Sequence, residues 1–167
     1  RFRQSAAWGQ SLTADVTVGE TGFRVSNATA WDMEPAETLF LRRDFFRRPL
    51  VVAKWRNDQR LKAVAAGEGK VGDTPVEWLK VGLFGATTTF GIDSKTGRVL
   101  QANYVGRTPG VIGDVSKTYS DFRDVDGLSI PFATTAVFLG TSAPRTGKFD
   151  SFEINPNLDA TAFVKPR

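Results

Sequence analysis

Apolar and polar residues alternate with a period of two along most of the chain. In residues 11–18 the sequence SLTADVTV places an apolar residue at every second position. Because successive side chains of a β-strand point to opposite faces, this pattern predicts a half-buried strand. Residues 23–33 follow a Gly-rich turn and are predicted to form two short strands broken near Asn27.

One segment has the pattern of a helix instead. Residues 35–48 start with Pro35, a favourable first-turn residue, and stop before Pro49, whose ring disfavours helix at the preceding position. At about 100° per residue, the apolar side chains point in two directions, whereas a helix on one core needs a single apolar stripe. These directions are defined by Leu39 with Phe46 and by Leu41 with Phe45.

The rest of the chain alternates between short strand patterns and turn sequences rich in Gly, Pro, Asn and Asp. Strands are predicted at about 50–55, 60–66, 75–82, 86–92, 98–105, 114–124, 128–139 and 146–154. Short connections between consecutive strands favour an antiparallel meander. The predicted fold is mainly β (α+β): a strongly curved antiparallel sheet or incomplete β-barrel with the helix across its concave face, in a single domain over residues 1–167.

The stretch YSDFRDVDGLSIPF, residues 119–132, combines acids, arginine and aromatic residues around Asp126-Gly127. Asp-Gly readily forms the two-residue type I′ turn that joins hairpin strands. Counting back from this turn pairs Val125 with Leu128, Arg123 with Ile130, Asp121 with Phe132 and Tyr119 with Thr134. Asp121 and Arg123 then share a face, where we expect a surface ion pair.

Two alternative interpretations of the same stretch, a calcium loop and a catalytic carboxylate pair, are less favoured than the hairpin. DVDG lacks the ligand register and the closing Glu of a calcium loop. A carboxylate acid/base pair would draw on Asp121, Asp124 and Asp126, and the sequence does not indicate that they share a pocket.

The amino-acid composition excludes several classes of catalytic site. The 167 residues include no histidine and no cysteine, which excludes Cys/His zinc sites, a Ser-His-Asp triad and a thiol nucleophile. We therefore expect no enzyme activity and no cofactor, although a site built only from carboxylates stays open. The chain begins at Arg1 and has Met33 as its single methionine, so we expect a processed chain or a fragment of a longer one.

The chain is basic, with a net charge of +4 and a pI near 9.6. Its arginines concentrate at positions 42, 43, 47 and 48. No nucleic-acid-binding motif or Gly-rich phosphate loop accompanies them, so nucleic acid is not the predicted partner.

Three stretches resemble the bacterial lipoprotein-carrier-like domains, the LolA-like or outer-membrane-lipoprotein-sorting group. They are FGIDSKTGRVLQANY, YSDFRDVDGLSIPF and the closing INPNLDATAF. The resemblance spans residues 70–164, and LFLRRDFFRRPLVV is similar to the helix-to-strand passage that precedes it in such domains.

The resemblance implies an incomplete antiparallel barrel with helices covering an apolar cavity, which in true carriers takes the acyl chains of a lipoprotein. It also implies a periplasmic or cell-envelope location. Similar domains are attached to insulinase-type zinc proteases or metallo-β-lactamase-fold hydrolases. The H-x-x-E-H motif of the zinc proteases cannot occur in a chain without histidine. The chain departs from true carriers in having little room for a long first helix and no clear second lid helix.

Two functions follow for the abundant aromatic residues. They fill a core, or a subset lines a groove between helix and sheet that binds an acyl chain or an apolar peptide. The candidate ligand-binding residues are Leu39, Phe40, Phe45, Phe46, Trp55, Trp78, Phe90, Phe132 and Phe138. The alternative is an accessory interaction module of a larger envelope protease or hydrolase, with a filled core and no small ligand.

The arginine cluster also has two interpretations. It forms a solvated helix face with partly packed stems, or it contacts anionic headgroups in a peripheral membrane interaction. The residues concerned are Arg42, Arg43, Arg47 and Arg48.

Overall fold

The computed structural model describes residues 1–8, 11–27, 29–108, 111–138, 143–154 and 156–166. The chain forms two compact units. The first comprises Arg1–Phe46 with Pro156–Arg167, and the second comprises Arg47–Asn155. The single domain predicted for residues 1–167 stays a prediction.

The first unit is an antiparallel four-stranded sheet with one main helix and a 3₁₀ turn. The elements are β1 (Phe2–Trp8), β2 (Ser11–Val18), β3 (Thr21–Ser26), β4 (Thr29–Asp32), α1 (Pro35–Phe46) and the 3₁₀ turn Ala160–Phe163. The strands lie in sequence order, and each pairs with the next.

Helix α1 meets this sheet through a close contact at Gly22. A side chain at Gly22 would lie 2.9 Å from Thr38 Oγ1 and 3.3 Å from Met33 Sδ. Thr38, Met33 and Val16 are buried there. The absence of a side chain at Gly22 therefore lets the helix approach β3.

The second unit is an antiparallel seven-stranded sheet with one short helix. Its elements are α2 (Pro49–Lys54), β5 (Lys62–Val71), β6 (Thr74–Leu83), β7 (Ala86–Asp93), β8 (Val99–Thr108), β9 (Val111–Val125), β10 (Leu128–Phe138) and β11 (Arg145–Lys148). The order is β11-β10-β9-β8-β7-β6-β5, a meander in which each strand pairs with its sequence neighbours.

The β9–β10 hairpin has the predicted register. Asp126 and Gly127 have φ angles of 51° and 78°, as a type I′ turn requires. The pairs Val125–Leu128, Arg123–Ile130 and Tyr119–Thr134 are formed. Asp121 and Phe132 are skipped between two regular pairs, and Asp121 has a φ of 52°.

In the described residues, the sheet is irregular at this skipped pair and at two β-bulges. β-Bulges shift the register between Ala65 and Glu68 on β5 and between Gly91 and Ile92 on β7. Pro131 lies beside the skipped pair, on the part of β10 that precedes the residues paired with β11. Bulges bend and twist a sheet, which agrees with the strongly curved sheet predicted from the sequence.

The structure confirms the mainly β fold class, the antiparallel meander and one main helix. The strands at 11–18 and within 23–33 are confirmed, but the strand predicted at 50–55 is wrong because these residues form α2. Arg48 is extended and Pro49 takes the first helical position, where its missing N–H costs nothing. The strand predicted at 146–154 ends at Lys148, β1 was not predicted, and Leu139 lies outside the described residues.

Neither helix in the described part of the chain has the length and apolar character needed to span a membrane.

Candidate functional site

The centre of the second unit is an apolar cluster on one face of its sheet. Val81, Phe90 and Ala102 lie on the neighbouring strands β6, β7 and β8, and Phe90 is 2% exposed. Phe90 pairs across the sheet with Leu79 and with Ala102, which places all three on the same side. We call this side the apolar face and the opposite side the polar face.

Half-buried side chains surround the cluster. They are Val52, Leu61, Leu79, Ile92, Val99, Tyr104 and Tyr119. Val52 belongs to α2 and Leu61 to the loop that follows, so this part of the chain covers the centre of the apolar face.

The end of α2 is anchored to the β6–β7 turn by an aromatic contact. The rings of Trp55 and Phe84 meet edge to face with centroids 5.0 Å apart. The Arg60 guanidinium lies 4.4 Å from the Phe84 centroid and pairs with Asp58 at 2.7 Å. Hydrogen bonds from Arg60 lower the pKa of Asp58 to about 2. Trp55, a predicted ligand residue, therefore contributes to this anchor.

A second contact closes the apolar face near β8, β9 and β10. A side chain at Gly106 would lie 2.6 Å from Val115 Cγ2, 3.3 Å from Tyr104 Cε2 and 3.4 Å from Phe138 Cζ. These groups pack over the glycine because it has no Cβ. Phe138, a predicted ligand residue, thus lies on the apolar face, and Val115 is its partner across the sheet.

The third part of the apolar face is centred on Phe132 of β10. Its ring meets Phe152 edge to face, with centroids 5.0 Å apart, and lies 4.2 Å from the Arg123 guanidinium. Phe149 in turn contacts Phe152 at 5.0 Å. Phe132 is 6% exposed, so its contacts with Arg123 and Phe152 help to bury it.

Cationic side chains also lie against aromatic rings of this face. The Arg47 guanidinium is 4.5 Å from the Tyr104 centroid, and Lys117 Nζ is 5.6 Å from that of Tyr119. Burial raises the pKa of the Tyr119 phenol, as does Tyr104, while Arg48 acts in the opposite direction. The neutral phenol is therefore the favoured form on this face.

Trp78 lies on the polar face, away from the other predicted ligand residues of the sheet. It pairs with Gly91, whereas its neighbour Leu79 pairs with Phe90. A side chain at Gly91 would lie 2.9 Å from the Trp78 ring, and one at Gly69 would lie 2.5 Å from Nε1. The indole thus packs across two glycines of neighbouring strands.

Between β7 and β10 the polar face carries hydroxyl and amide groups as well as the apolar side chains of Val105, Ile112 and Phe122. Gln101 Nε2 donates to Asn103 Oδ1 at 2.8 Å and to Ser116 Oγ at 2.9 Å. The Thr118 hydroxyl donates to the Thr135 carbonyl at 3.3 Å. The two faces of one sheet therefore differ in chemistry.

The other predicted ligand residues lie in the first unit. Leu39, Phe40, Phe45 and Phe46 are all on α1, where the rings of Phe45 and Phe46 meet with centroids 5.2 Å apart. Leu39 is exposed and the three phenylalanines are half-buried. Their role in a ligand site stays a prediction.

The arginine cluster divides between the two units. Arg42 lies 3.8 Å from Glu20, and the Arg43 guanidinium is 5.9 Å from the Phe40 centroid. Arg48 is exposed. Arg47 is 7% exposed and packs on Tyr104, so any headgroup contact would fall to the other three arginines.

The acids of the β9–β10 hairpin have structural partners. Asp121 Oδ2 accepts from Arg123 Nη2 at 2.6 Å, which confirms the predicted ion pair, and this bond lowers the pKa of Asp121. Asp124 Oδ1 accepts from the Gly127 N–H at the turn. In the described residues no three acids gather as a group that could hold a metal ion.

Several residues of the apolar face were not among the predicted site residues. Val52 was missed because its segment was read as a strand, although Pro49 is a helix-start signal. Tyr104 and Tyr119 were also not predicted. Tyr104 lies two residues after Ala102 on β8, and Tyr119 lies two residues after Lys117 on β9, so both tyrosines share the apolar face with these residues. This period of two along each strand was the feature of the sequence that could have identified them.

Comparison with solved structures shows the fold of the chain. A DUF1329 family protein from Desulfovibrio piger superposes with a TM-score of 0.54 at 13% identity, covering 97% of this chain and 80% of that one. A domain described as an outer membrane lipoprotein-sorting protein domain, from Vibrio parahaemolyticus, superposes with a TM-score of 0.50 at 10% identity, covering 92% and 80%. No protein-family model matches the chain, and no curated protein matches it.

These neighbours support the LolA-like fold implied by the sequence resemblance. At 10–13% identity they establish the fold alone.

Proposed function

We propose that the protein is a non-enzymatic carrier-like domain of the bacterial envelope, which binds an acyl chain or apolar peptide on the apolar face of its seven-stranded sheet. The observation that supports this most is the continuity of that face. Apolar and aromatic side chains extend across it from Leu79 on β6 to Phe138 on β10. A concave apolar surface with few polar groups is the usual chemistry of a lipid site.

In this proposal Phe90, Phe132 and Phe138 form the floor, with Trp55 at the edge near α2. A ligand chain would replace contacts that α2 and neighbouring segments make with the floor. Each methylene that it buries contributes about 0.8 kcal/mol, so an acyl chain offsets the loss of several such contacts.

The proposed partners are a lipid acyl chain or a lipoprotein, in the periplasm or at the envelope. The fold of the lipoprotein-sorting neighbour supports this location. The exposed Arg48 of the second unit would contact anionic headgroups, and Arg42 and Arg43 of the first unit are separate candidates for such a contact. Each basic residue near such a surface contributes about 1 kcal/mol.

A specific observation favours a second function, an accessory interaction module of a larger envelope protease or hydrolase. Val81, Phe90 and Phe132 are already buried by the chain itself, as expected of a filled core that binds no small ligand. In that case the sheet would serve as a scaffold, and binding would take place through exposed edges or basic residues.

Native mass spectrometry of the purified protein, with identification of extracted lipid, distinguishes the carrier function from the accessory module. The carrier proposal predicts stoichiometric acyl lipid and displacement of it by cis-parinaric acid, a fluorescent fatty acid. A clean apo mass without a fluorescence gain on adding the probe would contradict it and favour the accessory module.

Two alanines of β10 provide matched variants for this experiment. Ala136 lies on the apolar face opposite Lys117, whereas Ala133 lies on the polar face opposite Ser120, and both are half-buried. Ala136→Trp would fill the site and reduce probe binding, while Ala133→Trp would leave binding unchanged. Equal binding by the two folded variants would place the ligand elsewhere.

A further inference from the structure

We propose that residues 149–154 form a displaceable cover over the Phe132 end of the apolar face, and that Phe152 competes with the ligand for this position. The inference rests on the proposed function and adds the route by which a ligand enters. The cover follows β11 directly and belongs to the same unit as the sheet.

The cover occupies the Phe132 end through one hydrogen bond and two ring contacts. The Phe149 N–H donates to the Phe132 carbonyl at 2.9 Å. Phe152 then meets the Phe132 ring edge to face at 5.0 Å, and Phe149 packs against Phe152. Phe152 therefore lies where an apolar ligand on this face would contact Phe132.

The cover is held much less firmly than the strand before it. β11 pairs with β10 at four positions, from Ala133 to Ala136. After Lys148, the described residues 149–154 show one backbone hydrogen bond to the sheet, at Phe149, whose side chain is 44% exposed. A segment with few backbone hydrogen bonds and much exposed surface opens at low free energy.

The same contacts explain why the cover would act against the ligand. An occupant of the Phe132 end must first displace the Phe152 ring, so the apparent affinity falls by the fraction of molecules in which the cover is closed. Removing the ring would raise the affinity, whereas removal of a floor residue would lower it. A gain in ligand affinity on substitution therefore identifies a competitor, and a loss identifies a residue that contacts the ligand.

The test compares cis-parinaric acid binding by the wild type, Phe152→Ala and Phe149→Ala. We expect Phe152→Ala to bind about three- to tenfold more tightly, the range that corresponds to one edge-to-face aromatic contact. Phe149→Ala removes the ring that packs on Phe152 but keeps the Phe132–Phe152 contact, so we expect a gain smaller than that of Phe152→Ala. Phe122→Ala is the control, because Phe122 lies on the polar face, and we expect a change of less than about twofold. Phe152→Leu serves as a second variant if the alanine variant is unstable, with a smaller gain.

A second readout uses the wild type alone. Hydrogen exchange at the Phe149 amide reports its bond to the Phe132 carbonyl, and saturating cis-parinaric acid should accelerate this exchange if the cover is displaced. Slower or unchanged exchange in the bound state would overturn the inference.

The outcomes separate this inference from the proposed function. Equal or weaker binding by Phe152→Ala, with a wild type that binds, would overturn the cover and leave the carrier function standing. Absence of binding in the wild type and in all variants would overturn both. Binding by Phe152→Ala alone, or tighter binding by it, would support both.

Discussion

The two faces of the seven-stranded sheet are built from the same strands but have opposite characters. On β7, Phe90 points into the buried cluster with Val81 and Ala102, while the preceding residue, Thr89, is half-buried on the polar face. The polar face carries hydrogen-bonded amides and hydroxyls, and its aromatic residues include Trp78 and Phe122. The difference shows that register, more than aromatic content, determines which residues can line a ligand site.

Neighbouring residues of β7 give the most severe test of this comparison. Phe90→Asp would bury an unpaired carboxylate and lower the free energy of unfolding by about 4 kcal/mol or more. Thr89→Asp, on the polar face, should cost about 1 kcal/mol at most. Urea unfolding followed by circular dichroism measures both. Similar losses for the two variants would mean that the faces do not differ as described.

Substitution of Trp78 should lower the stability of the protein without changing its affinity for the ligand. Trp78→Ala removes the ring that packs across Gly69 and Gly91, and should lower the free energy of unfolding by about 2–3 kcal/mol. Because Trp78 is on the polar face, the folded fraction should bind cis-parinaric acid with unchanged affinity. A loss of affinity in the folded variant would return Trp78 to the ligand site.

Two glycines test how tightly the apolar face is closed near Phe138. Gly106→Ala places a methyl group 2.6 Å from Val115 Cγ2 and should cost about 1–2 kcal/mol. Gly82→Ala is the control, because nothing lies within 4 Å of its added Cβ, and it should be neutral or slightly stabilising. Equilibrium unfolding compares the two, and a neutral Gly106→Ala would indicate a loosely packed end.

The smallest effect is a shift in the ionisation of Tyr119. The pKa of this phenol is raised by burial, so the folded state holds its proton at a pH where the unfolded chain has released it. This stability is complete below about pH 10, the ordinary pKa of tyrosine, and declines as the pH rises above it. In Tyr104→Phe, Tyr119 is the remaining tyrosine. Its absorbance should then change only well above the ordinary pKa, and a titration at that ordinary value would show an exposed phenol.

Much of the second unit could be predicted from its hairpins. Counting from Asp126-Gly127 gave the register as far as Tyr119 and Thr134, because a two-residue turn fixes which residues pair. The same counting from Phe84-Gly85 pairs Leu79 with Phe90 and assigns Trp78 to the other face. Aromatic content alone predicts Trp78 as a ligand residue, whereas its register assigns it to the polar face.

Other features depend on contacts that the local pattern does not contain. α2 has six residues and includes two β-branched valines, so its local preference favours a strand until packing of Val52 on the sheet is included. The burial of Arg47 likewise depends on its distant contact with Tyr104. The Phe132–Phe152 contact joins residues on either side of β11 and could not be inferred from spacing.

Photo-crosslinking with a diazirine-bearing fatty acid, mapped by peptide mass spectrometry, tests most directly whether the apolar face is a ligand site. We predict labels on Tyr119 and Phe138 of the apolar face and on Val52 of α2, with competition by unlabelled fatty acid. Val105 and Ile112 of the polar face are 52% and 63% exposed, so they report non-specific labelling. Labels confined to those two residues, or no labels that compete, would contradict the carrier function.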